Sequence, residues 1–585
     1  MRINNLLGAR EFSHLKFEYN RAFQQVDIPL VRVSHASGGT SELLPSAIGD
    51  APSEIVSDFP AYQDVRVKSA RILGLQEGDI IEYRVKTAST HHLPAPGFWL
   101  QHTFDRSGQV LEERYELDLP RAENFQARID PETPPGKDDP SRAPDPARLH
   151  YAWQRKFSGP PPSNDALKST PDVEITTCKN WFDLAILLAP RFEQSYFSSS
   201  ESVAKAKSLA AADSSSEKLA ALYDFVSQKI ATVELPPGAT SFELRKPDEI
   251  LKSGYATPED KYQLLAALGS VNGIVIFPVF LNPALDLESS APNPNSLTKI
   301  VVVAQIENKQ IWMDPTSGIA PFAVLPANLR GLRGLRPGAF DTKSMYWNTS
   351  PRDLPFAAFQ KVNVDADLSA DGTLSAKVSY ILRGDNELLL RLAFHQTPQD
   401  KWRDVAGLLA ISDGFRGQVT SVTASDPAAT KDPFRVDYAI SQPKFVDWAK
   451  KPVRIPALLP QIGLPDPPPH PAAGTAIRSI ELGTPLDVET KVTLKLPIGT
   501  TAAIPAATSV NRDYASFSSN YAAKSATITA TRHINFLARE IPADRAMDYN
   551  AFLHAVQNDQ LQAFTLTRAA ASIPARPAHK PVPKK

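Results

Sequence analysis

The first 160 residues alternate apolar and polar side chains, which is typical of strands that bury one face. The alternation is clearest in three segments: Tyr62–Ile72, Gly78–Lys86 and Gly108–Asp118. Glycine-containing turn signals separate such segments, as at Glu77-Gly78. We therefore predict an antiparallel β-sandwich for this part of the chain.

Residues 171–340 change to helical spacing followed by apolar runs. Ser214 and Glu217 form the S-x-x-E pattern of a capping box, and an apolar stripe with helical spacing follows them. Thr257 and Pro258 mark another helix start, because Thr caps a first turn and Pro fits its first position. Three apolar, β-branched runs come after these helices, at 274–281, 300–306 and 310–313. This order predicts an α+β domain.

Strand alternation returns in residues 350–570, for example at 374–382 and 488–496. Two predicted helices interrupt it, one opened by Thr397-Pro398 and one with an apolar stripe that begins at Tyr549. The chain is thus predicted to be a multidomain α+β protein. Its predicted parts are an N-terminal domain at 1–160, a central domain at 171–340, a C-terminal β-rich domain at 350–570 and a disordered tail at 571–585.

The composition excludes several classes of protein. With 585 residues, 42% of them hydrophobic, the chain can bury several cores. Its formal net charge of −1 gives no electrostatic reason to expect nucleic acid as a partner. The longest apolar runs fall well short of the ~18–20 residues that a membrane helix needs, so no transmembrane segment is predicted. Cys178 is the only cysteine, so no intrachain disulfide can form.

No residue spacing indicates a metal or a cofactor. His91 and His92 are adjacent, and adjacent side chains on a strand point to opposite faces, which argues against one shared metal. Gly331–Gly334 lacks the spacing of a phosphate-binding loop. We therefore predict neither.

The central motifs carry a family resemblance. Leu251–Ile274 has the sequence LKSGYATPEDKYQLLAALGSVNGI. It resembles the nucleophile segment of bacterial transglutaminase-like domains, roughly G-x-C-x-D-K-x-x-L-L-x-A-L-x-x-x-G-I. Ile311–Thr316 resembles the family's W-x-D-P-T element, and Thr298–Val302 lies where the family has N-H-V-x-V. The resemblance implies a papain-like fold for the central domain.

The flanking parts are also similar to domains found with that family. The run at residues 59–85 resembles a β-rich domain of unknown function that precedes transglutaminase-like domains in bacteria. The C-terminal part looks like the β-rich domain that follows them. Together these similarities cover nearly the whole chain.

The matching positions lack the catalytic side chains. In the family a Cys thiolate at a helix N-terminus attacks, a His accepts its proton and an Asp orients the His. The Cys position falls on Pro258, or on Ala256 if two residues are inserted, and the His position falls on Lys299. Only Asp314 remains. The resemblance therefore implies a degenerate triad.

One count makes this conclusion independent of the exact alignment. No histidine occurs between Tyr151 and Phe394, and Cys178 is the only cysteine there. Cys178 is expected to be a buried hydrophobe rather than a displaced nucleophile, and Thr257 a helix cap rather than a substitute nucleophile. Lys299 is expected to be solvated or paired with Asp314.

The resemblance and its departures imply a catalytically inactive binding or scaffold protein of the bacterial cell envelope. The implied partner is a peptide or protein ligand in the central cleft. One alternative is an active transglutaminase- or protease-like amide-bond enzyme with a non-standard or interdomain site, and another is a purely structural envelope protein. The short start of the N-terminal domain predicts export, with the signal peptide absent from this sequence; a cytoplasmic protein is the alternative.

Overall fold

A computed structural model describes residues 1–89, 97–106, 110–130, 137–138, 146–156, 171–192, 199–338, 346–450, 452–460, 464 and 479–568. The chain forms two compact units, Met1–Arg352 and Asp353–Lys585. The first unit holds both the predicted N-terminal and the predicted central domain, and the boundary between them stays a prediction. The predicted tail at 571–585 and the pair His91-His92 lie outside the described residues.

The N-terminal part of the first unit is one short helix and a series of antiparallel strands. These elements are α1 (Leu6–Phe12), β1 (His14–Asn20), β2 (Gln24–Ser34), β3 (Thr40–Glu42), β4 (Ile48–Pro52), β5 (Val65–Arg71), β6 (Ile80–Ser89), β7 (Trp99–His102), β8 (Glu112–Pro120), β9 (Gln126–Ile129), β10 (Lys137–Asp138), β11 (Arg148–Lys156) and β12 (Val173–Thr176). Sheets β1-β5-β4 and β3-β2-β6 share one core, to which Leu15, Val31 and Ile81 contribute. Sheets β10-β11-β8 and β7-β12-β9 share a second core around Phe104 and Trp153.

The predicted strands in this part exist, with one difference that matters for the site. The alternation at 62–72 becomes β5, which starts three residues later than predicted, at Val65. Pro60 opens a 3-10 turn that ends at Tyr62, because its fixed φ suits the first position of a helical turn. Tyr62 is therefore not a strand residue, and its side chain is buried.

The central part of the first unit has helices first and an antiparallel sheet after, as predicted. Its elements are α2 (Trp181–Phe192), α3 (Ser200–Leu209), α4 (Ser215–Lys229), β13 (Ala231–Thr232), α5 (Pro247–Ser253), β14 (Tyr255–Ala256), α6 (Pro258–Val271), β15 (Val275–Leu281), β16 (Lys299–Ile306), β17 (Lys309–Met313), β18 (Arg333–Leu335) and β19 (Trp347–Thr349). Five of the strands form one sheet in the order β17-β16-β15-β18-β19, and β13 and β14 form a separate parallel pair. The predicted caps are confirmed: Ser214 accepts from the Glu217 N–H, and Thr257 accepts from the Asp260 N–H.

Helix α6 lies inside this part rather than on its surface. Every residue from Pro258 to Gly269 is buried, and the helix packs against α3, α4, α5, β15 and β16. Enclosure on all sides normally requires an apolar helix. This one carries Glu259, Asp260, Lys261 and Gln263 in its first two turns. Each of these polar groups would be costly to bury without a partner.

The second unit is built on an eight-stranded sheet. Its elements are β20 (Phe359–Leu368), β21 (Leu374–Arg383), α7 (Asp385–Gln396), α8 (Trp402–Ser412), β22 (Gln418–Ala424), β23 (Phe434–Gln442), β24 (Val453–Pro456), β25 (Ser479–Glu481), β26 (Leu486–Lys495), β27 (Thr500–Ala503), β28 (Thr508–Asn511), β29 (Ala515–Lys524), β30 (Thr527–Phe536), β31 (Glu540–Pro542), α9 (Ala546–Gln560) and β32 (Ala563–Arg568). The sheet order is β22-β23-β21-β20-β26-β30-β29-β28, and its only parallel pair in the described chain is β20 with β26.

A buried carboxylate ties α8 to this sheet. Asp413, at the C-terminal end of α8, accepts hydrogen bonds of 2.5 Å from the hydroxyls of Tyr380 on β21 and Tyr438 on β23. Burial raises the pKa of Asp413 to about 6, although both tyrosine hydrogen bonds oppose the shift.

Asp413 should make the second unit less stable as the pH rises. Because its folded pKa lies above the unfolded value, its contribution is fully present below about pH 4 and is lost as the pH rises through about 6. The free energy of unfolding of Asp413→Asn, relative to that of the wild type, should therefore rise by about 3 kcal/mol between pH 4 and pH 8. Urea unfolding at both pH values measures this. The exposed Asp447→Asn is the control, and an equal gain there would contradict the assignment.

Candidate functional site

The positions that the family resemblance singled out lie at one small pocket. Pro258 in the first turn of α6, Lys299 at the start of β16 and Asp314 just after β17 all line a pocket of about 200 Å³. Ala256, the alternative nucleophile position, is buried in β14 and is not among the lining residues. The remaining lining residues are Glu234, Leu235, Pro236, Pro237, Thr298, Ile300, Thr316 and Leu329.

The helix end at this pocket presents no nucleophile. Pro258 occupies the first helical position, and its ring has neither a thiol nor a hydroxyl. Thr257 is buried, and its hydroxyl oxygen accepts a 3.3 Å hydrogen bond from the Asp260 N–H. It acts as the cap that the sequence predicted. Among the described residues that line the pocket there is no cysteine, serine or histidine.

Asp314 is held by its own turn. Its Oδ1 accepts from the Thr316 N–H at 2.9 Å and from the Thr316 hydroxyl at 2.6 Å, and its Oδ2 accepts from the Ser317 hydroxyl at 2.8 Å. This is the role of a turn-closing aspartate. The carboxylate therefore has local partners and does not depend on an imidazole.

Lys299 is the solvated lysine of the two expected possibilities. Its side chain is exposed, and within the described residues it forms no ion pair with Asp314. Of the two expected possibilities, the exposed position of Lys299 favours the solvated lysine, and Thr316 and Ser317 already bind the Asp314 carboxylate. Lys299 supplies a positive charge at the rim of the pocket.

Cys178 is a buried hydrophobe, as predicted. It is 4% exposed and packs in the same core as Trp181 and Leu184. Burial raises the pKa of its thiol, although a hydrogen bond with Thr176 opposes the shift. A reactive cysteine needs the opposite shift.

A second lysine links α6 to the Asp314 turn. The Lys261 Nζ is fully buried and donates to the backbone oxygens of Ser227 at 3.2 Å and Pro315 at 3.0 Å. Burial lowers the pKa of Lys261 to about 8, while the charges of Asp314 and Glu234 act in the other direction. Lys261 belongs to the D-K pair of the family motif, and here it holds the backbone that carries Asp314.

Glu259 is a second buried charge in the first turn of α6. It is 2% exposed, and its Oε1 accepts a 2.9 Å hydrogen bond from the Gly238 N–H. Burial is the main cause that raises the pKa of Glu259 to about 7, and the Gly238 hydrogen bond opposes it. At neutral pH the Glu259 carboxyl is therefore present in both its protonated and its ionised form.

Asp260 is bound by a tyrosine from the N-terminal part. The Tyr62 hydroxyl donates to Asp260 Oδ2 at 2.5 Å and accepts from the Thr257 N–H at 3.0 Å. Asp260 Oδ1 accepts from the Arg245 N–H at 2.8 Å, and the Arg245 guanidinium donates to the Tyr62 oxygen at 3.1 Å. We call these four residues the Tyr62 network. It closes the first turn of α6 with buried, mutually satisfied groups.

Only part of this site could be predicted from the sequence. It placed Glu259 and Asp260 as ordinary first-turn acids and predicted Tyr62 as a strand residue. Tyr62, the partner of Asp260, lies 198 residues away along the chain, so no local spacing predicts the contact. The one available signal was Pro60, which interrupts the strand pattern just before Tyr62.

Two further observations bound the site. In the part of the chain that the structure describes, no group of three or more His, Cys, Asp or Glu residues is arranged as metal ligands. No helix among the described residues is long and apolar enough to cross a membrane.

Two family models match the ends of the chain. Residues 1–162 match a domain of unknown function with a solved structure, DUF3857, and residues 475–566 match a second such domain, DUF3858. A crystal structure described as a "putative protease" from Parabacteroides distasonis ATCC 8503 aligns over 95% of this chain and 92% of that chain, with a TM-score of 0.61 and 14% identity. At that identity the likeness shows the fold alone. No curated protein matches the chain.

The comparisons define the class of protein. The chain is a multidomain, β-rich protein with a DUF3857 domain at one end and a DUF3858 domain at the other, and its fold is that of the Parabacteroides protein. The match to β-rich domains of unknown function at the N-terminus agrees with the resemblance of residues 59–85.

Loss of the Tyr62 hydroxyl should destabilise the first unit. Tyr62→Phe leaves Asp260 Oδ2 and the Thr257 N–H buried without a partner, so we expect a loss of about 2–4 kcal/mol in urea unfolding followed by tryptophan fluorescence. Tyr255→Phe is the matched control, because Tyr255 packs against Tyr62 but its hydroxyl accepts only from the exposed Ala61 N–H. A loss as large in the control would show that the network has no special role.

Glu259 should give the first unit a pH dependence of its own. Its raised pKa means that its contribution is present below about pH 4.5 and is lost as the pH rises through about 7. Glu259→Gln keeps an acceptor for the Gly238 N–H. Its free energy of unfolding, relative to that of the wild type, should therefore rise by about 3 kcal/mol between pH 4.5 and pH 8. The comparison is made by urea unfolding against Glu201→Gln, an exposed acid in the first turn of α3. Parallel pH profiles for wild type and Glu259→Gln would refute this.

Proposed function

We propose that this protein is a non-catalytic binding protein whose central part is a degenerate transglutaminase-like domain. The carrying observation is the pocket that unites Pro258, Lys299 and Asp314. These are the three positions where the family resemblance expects a nucleophile, a base and an orienting carboxylate. In this proposal the three positions keep the arrangement that the family has, but they lack the side chains that its reaction needs.

The electrostatics of the pocket support binding rather than reaction. Glu234 and Asp314 carry negative charge, Lys299 carries positive charge, and Leu235, Ile300 and Leu329 supply apolar wall. Specific recognition needs such a mixture of apolar surface and a few placed polar groups. A volume of about 200 Å³ suits one side chain of a peptide rather than a whole small ligand.

An active amide-bond enzyme is the competing function, and one contact is its best support. The Thr316 hydroxyl lies 2.6 Å from Asp314 Oδ1 inside the pocket. However, the Thr316 N–H donates to the same oxygen, so the pair forms a local turn. A carboxylate is also a weak base for an alcohol, and a hydroxyl nucleophile ordinarily needs an adjacent, well-matched base. We therefore rank this function second.

A peptide library tests both functions. The purified full chain is incubated with a mixture of synthetic peptides, and cleavage or transamidation is read by mass spectrometry. We expect no turnover above buffer for the wild type. Turnover that disappears in Asp314→Asn and Thr316→Val would contradict the proposal and establish the enzyme.

Binding is measured on the same library with immobilised protein. The wild type should enrich a subset of peptides, and Lys299→Glu should abolish that enrichment because it reverses the charge at the rim. Lys309→Glu is the matched control, since Lys309 is exposed at the start of β17 and does not line the pocket. Equal enrichment by wild type and Lys299→Glu, or none by either, would refute a binding role for this pocket.

Export to the cell envelope stays a prediction, which cell fractionation of the full-length product tests.

A further inference from the structure

A second and larger pocket opens beside α6. It has a volume of about 740 Å³, within the usual ~300–1,000 Å³ of small-ligand sites. Its rim comes from the end of α2, the cap of α3, the segment before α5 and the first turn of α5, and α6 contributes Gln263. The lining residues are Pro190, Arg191, Ser199, Glu243, Leu244, Arg245, Lys246, Pro247, Asp248 and Gln263.

This pocket is separate from the one at Asp314. Gln263 follows Pro258 by five residues, which turns it about 140° around the helix axis. The two pockets therefore use different faces of α6, and they share no lining residue.

Gln263 is the unusual group in this second pocket. It is only 6% exposed, and its Oε1 is buried with no hydrogen-bond partner among the residues that the structure describes. Buried amides are almost always paired, because an unpaired polar group loses its hydration without compensation. Glu259, Asp260 and Lys261 on the same helix all have partners. Among these four residues, only Gln263 has a buried side-chain oxygen without a partner in the described part of the chain.

The charges around Gln263 indicate the chemistry of that partner. Arg191 pairs with Glu243 at 3.1 Å, and Asp248 accepts from the Ser199 hydroxyl. The Arg245 guanidinium donates only to neutral groups among the described residues: the hydroxyls of Tyr62 and Ser253 and the backbone oxygens of Tyr255 and Glu249. Lys246 is exposed and, within the described residues, has no side-chain partner. The lining therefore carries three cations, Arg191, Arg245 and Lys246, against two carboxylates, Glu243 and Asp248, which leaves one net positive charge around the Gln263 amide.

We propose that this pocket binds a peptide segment that carries a carboxylate. Gln263 pairs with a peptide group through its amide, because the two groups have complementary donors and acceptors. Lys246 binds the carboxylate at the rim, and Pro190, Leu244 and Pro247 contact the apolar parts. The same chemistry is offered by a chain terminus and by an acidic side chain.

Three short peptides and the intact chain test this site. The probes are N-acetyl-Ala-Ala with a free carboxylate, its C-terminal amide, and N-acetyl-Ala-Glu-Ala amide, with ligand-observed NMR as the readout. We expect at least one acidic probe to bind, and the neutral amide to bind about fivefold more weakly or not at all. The acidic probe that binds more tightly identifies a terminal or a side-chain carboxylate.

Variants then assign the binding to named residues. Gln263→Leu should weaken the better probe about tenfold through the lost hydrogen bonds, and Lys246→Gln about fivefold. Lys252→Gln, an exposed lysine of α5 that does not line the pocket, is the charge-matched control and should bind like the wild type. Without ligand, Gln263→Leu should melt no lower than the wild type, because it removes an unpaired buried amide. Failure of both acidic probes to bind, or binding unchanged by Gln263→Leu, would overturn the proposal.

Discussion

The first unit depends on satisfying the polar groups of a helix that is buried on every side. Helix α6 takes Glu259, Asp260 and Lys261 into an interior where an unpaired charge costs several kcal/mol. Each of the three has its own hydrogen-bond partners. Glu259 accepts from the Gly238 N–H, and Asp260 accepts from the Tyr62 hydroxyl and the Arg245 N–H. Lys261 donates to the backbone oxygens of Ser227 and Pro315. The helix therefore fixes the position of everything packed around its first turn.

The same constraint holds the shape of the pocket at Asp314. Lys261 holds the Pro315 carbonyl, and with it the turn in which Thr316 and Ser317 bind Asp314. The pocket at Pro258 is thus maintained by hydrogen bonds of α6 and of the turn that follows β17.

Local signals in the sequence predicted the elements well and the long-range contacts poorly. Thr257-Pro258 and Ser214-Glu217 announced α6 and α4, because capping needs only neighbouring residues. The three apolar runs became β15, β16 and β17 within one residue of their predicted bounds. Helix α7 was not predicted; it starts after Gly384, and its first turn is closed by Glu387 reaching back to the Gly384 N–H. Tyr62 was placed on a strand, and its role depends on a partner that only the folded chain brings near.

Motif matching located the pocket at Asp314 but could not describe its electrostatics. Positions 258, 299 and 314, which the motif match singled out, all line that pocket. The sequence left open whether Lys299 is solvated or pairs with Asp314, and the Asp314 carboxylate finds its partners among the next residues. No sequence pattern indicated a role for Gln263, because an unpaired buried amide can be recognised only when the residues around it are known.

The exchange rate of the Thr257 backbone N–H measures most directly whether Tyr62 closes the first turn of α6. A first-turn amide of a helix has no partner within the helix and normally exchanges quickly with solvent. Because the Tyr62 hydroxyl accepts this N–H in the interior, its hydrogen–deuterium exchange should be as slow as that of β16, which has a neighbouring strand on each side. Rapid exchange at Thr257 while β16 stays protected would show that the first turn opens freely and that the Tyr62 network does not hold the unit together.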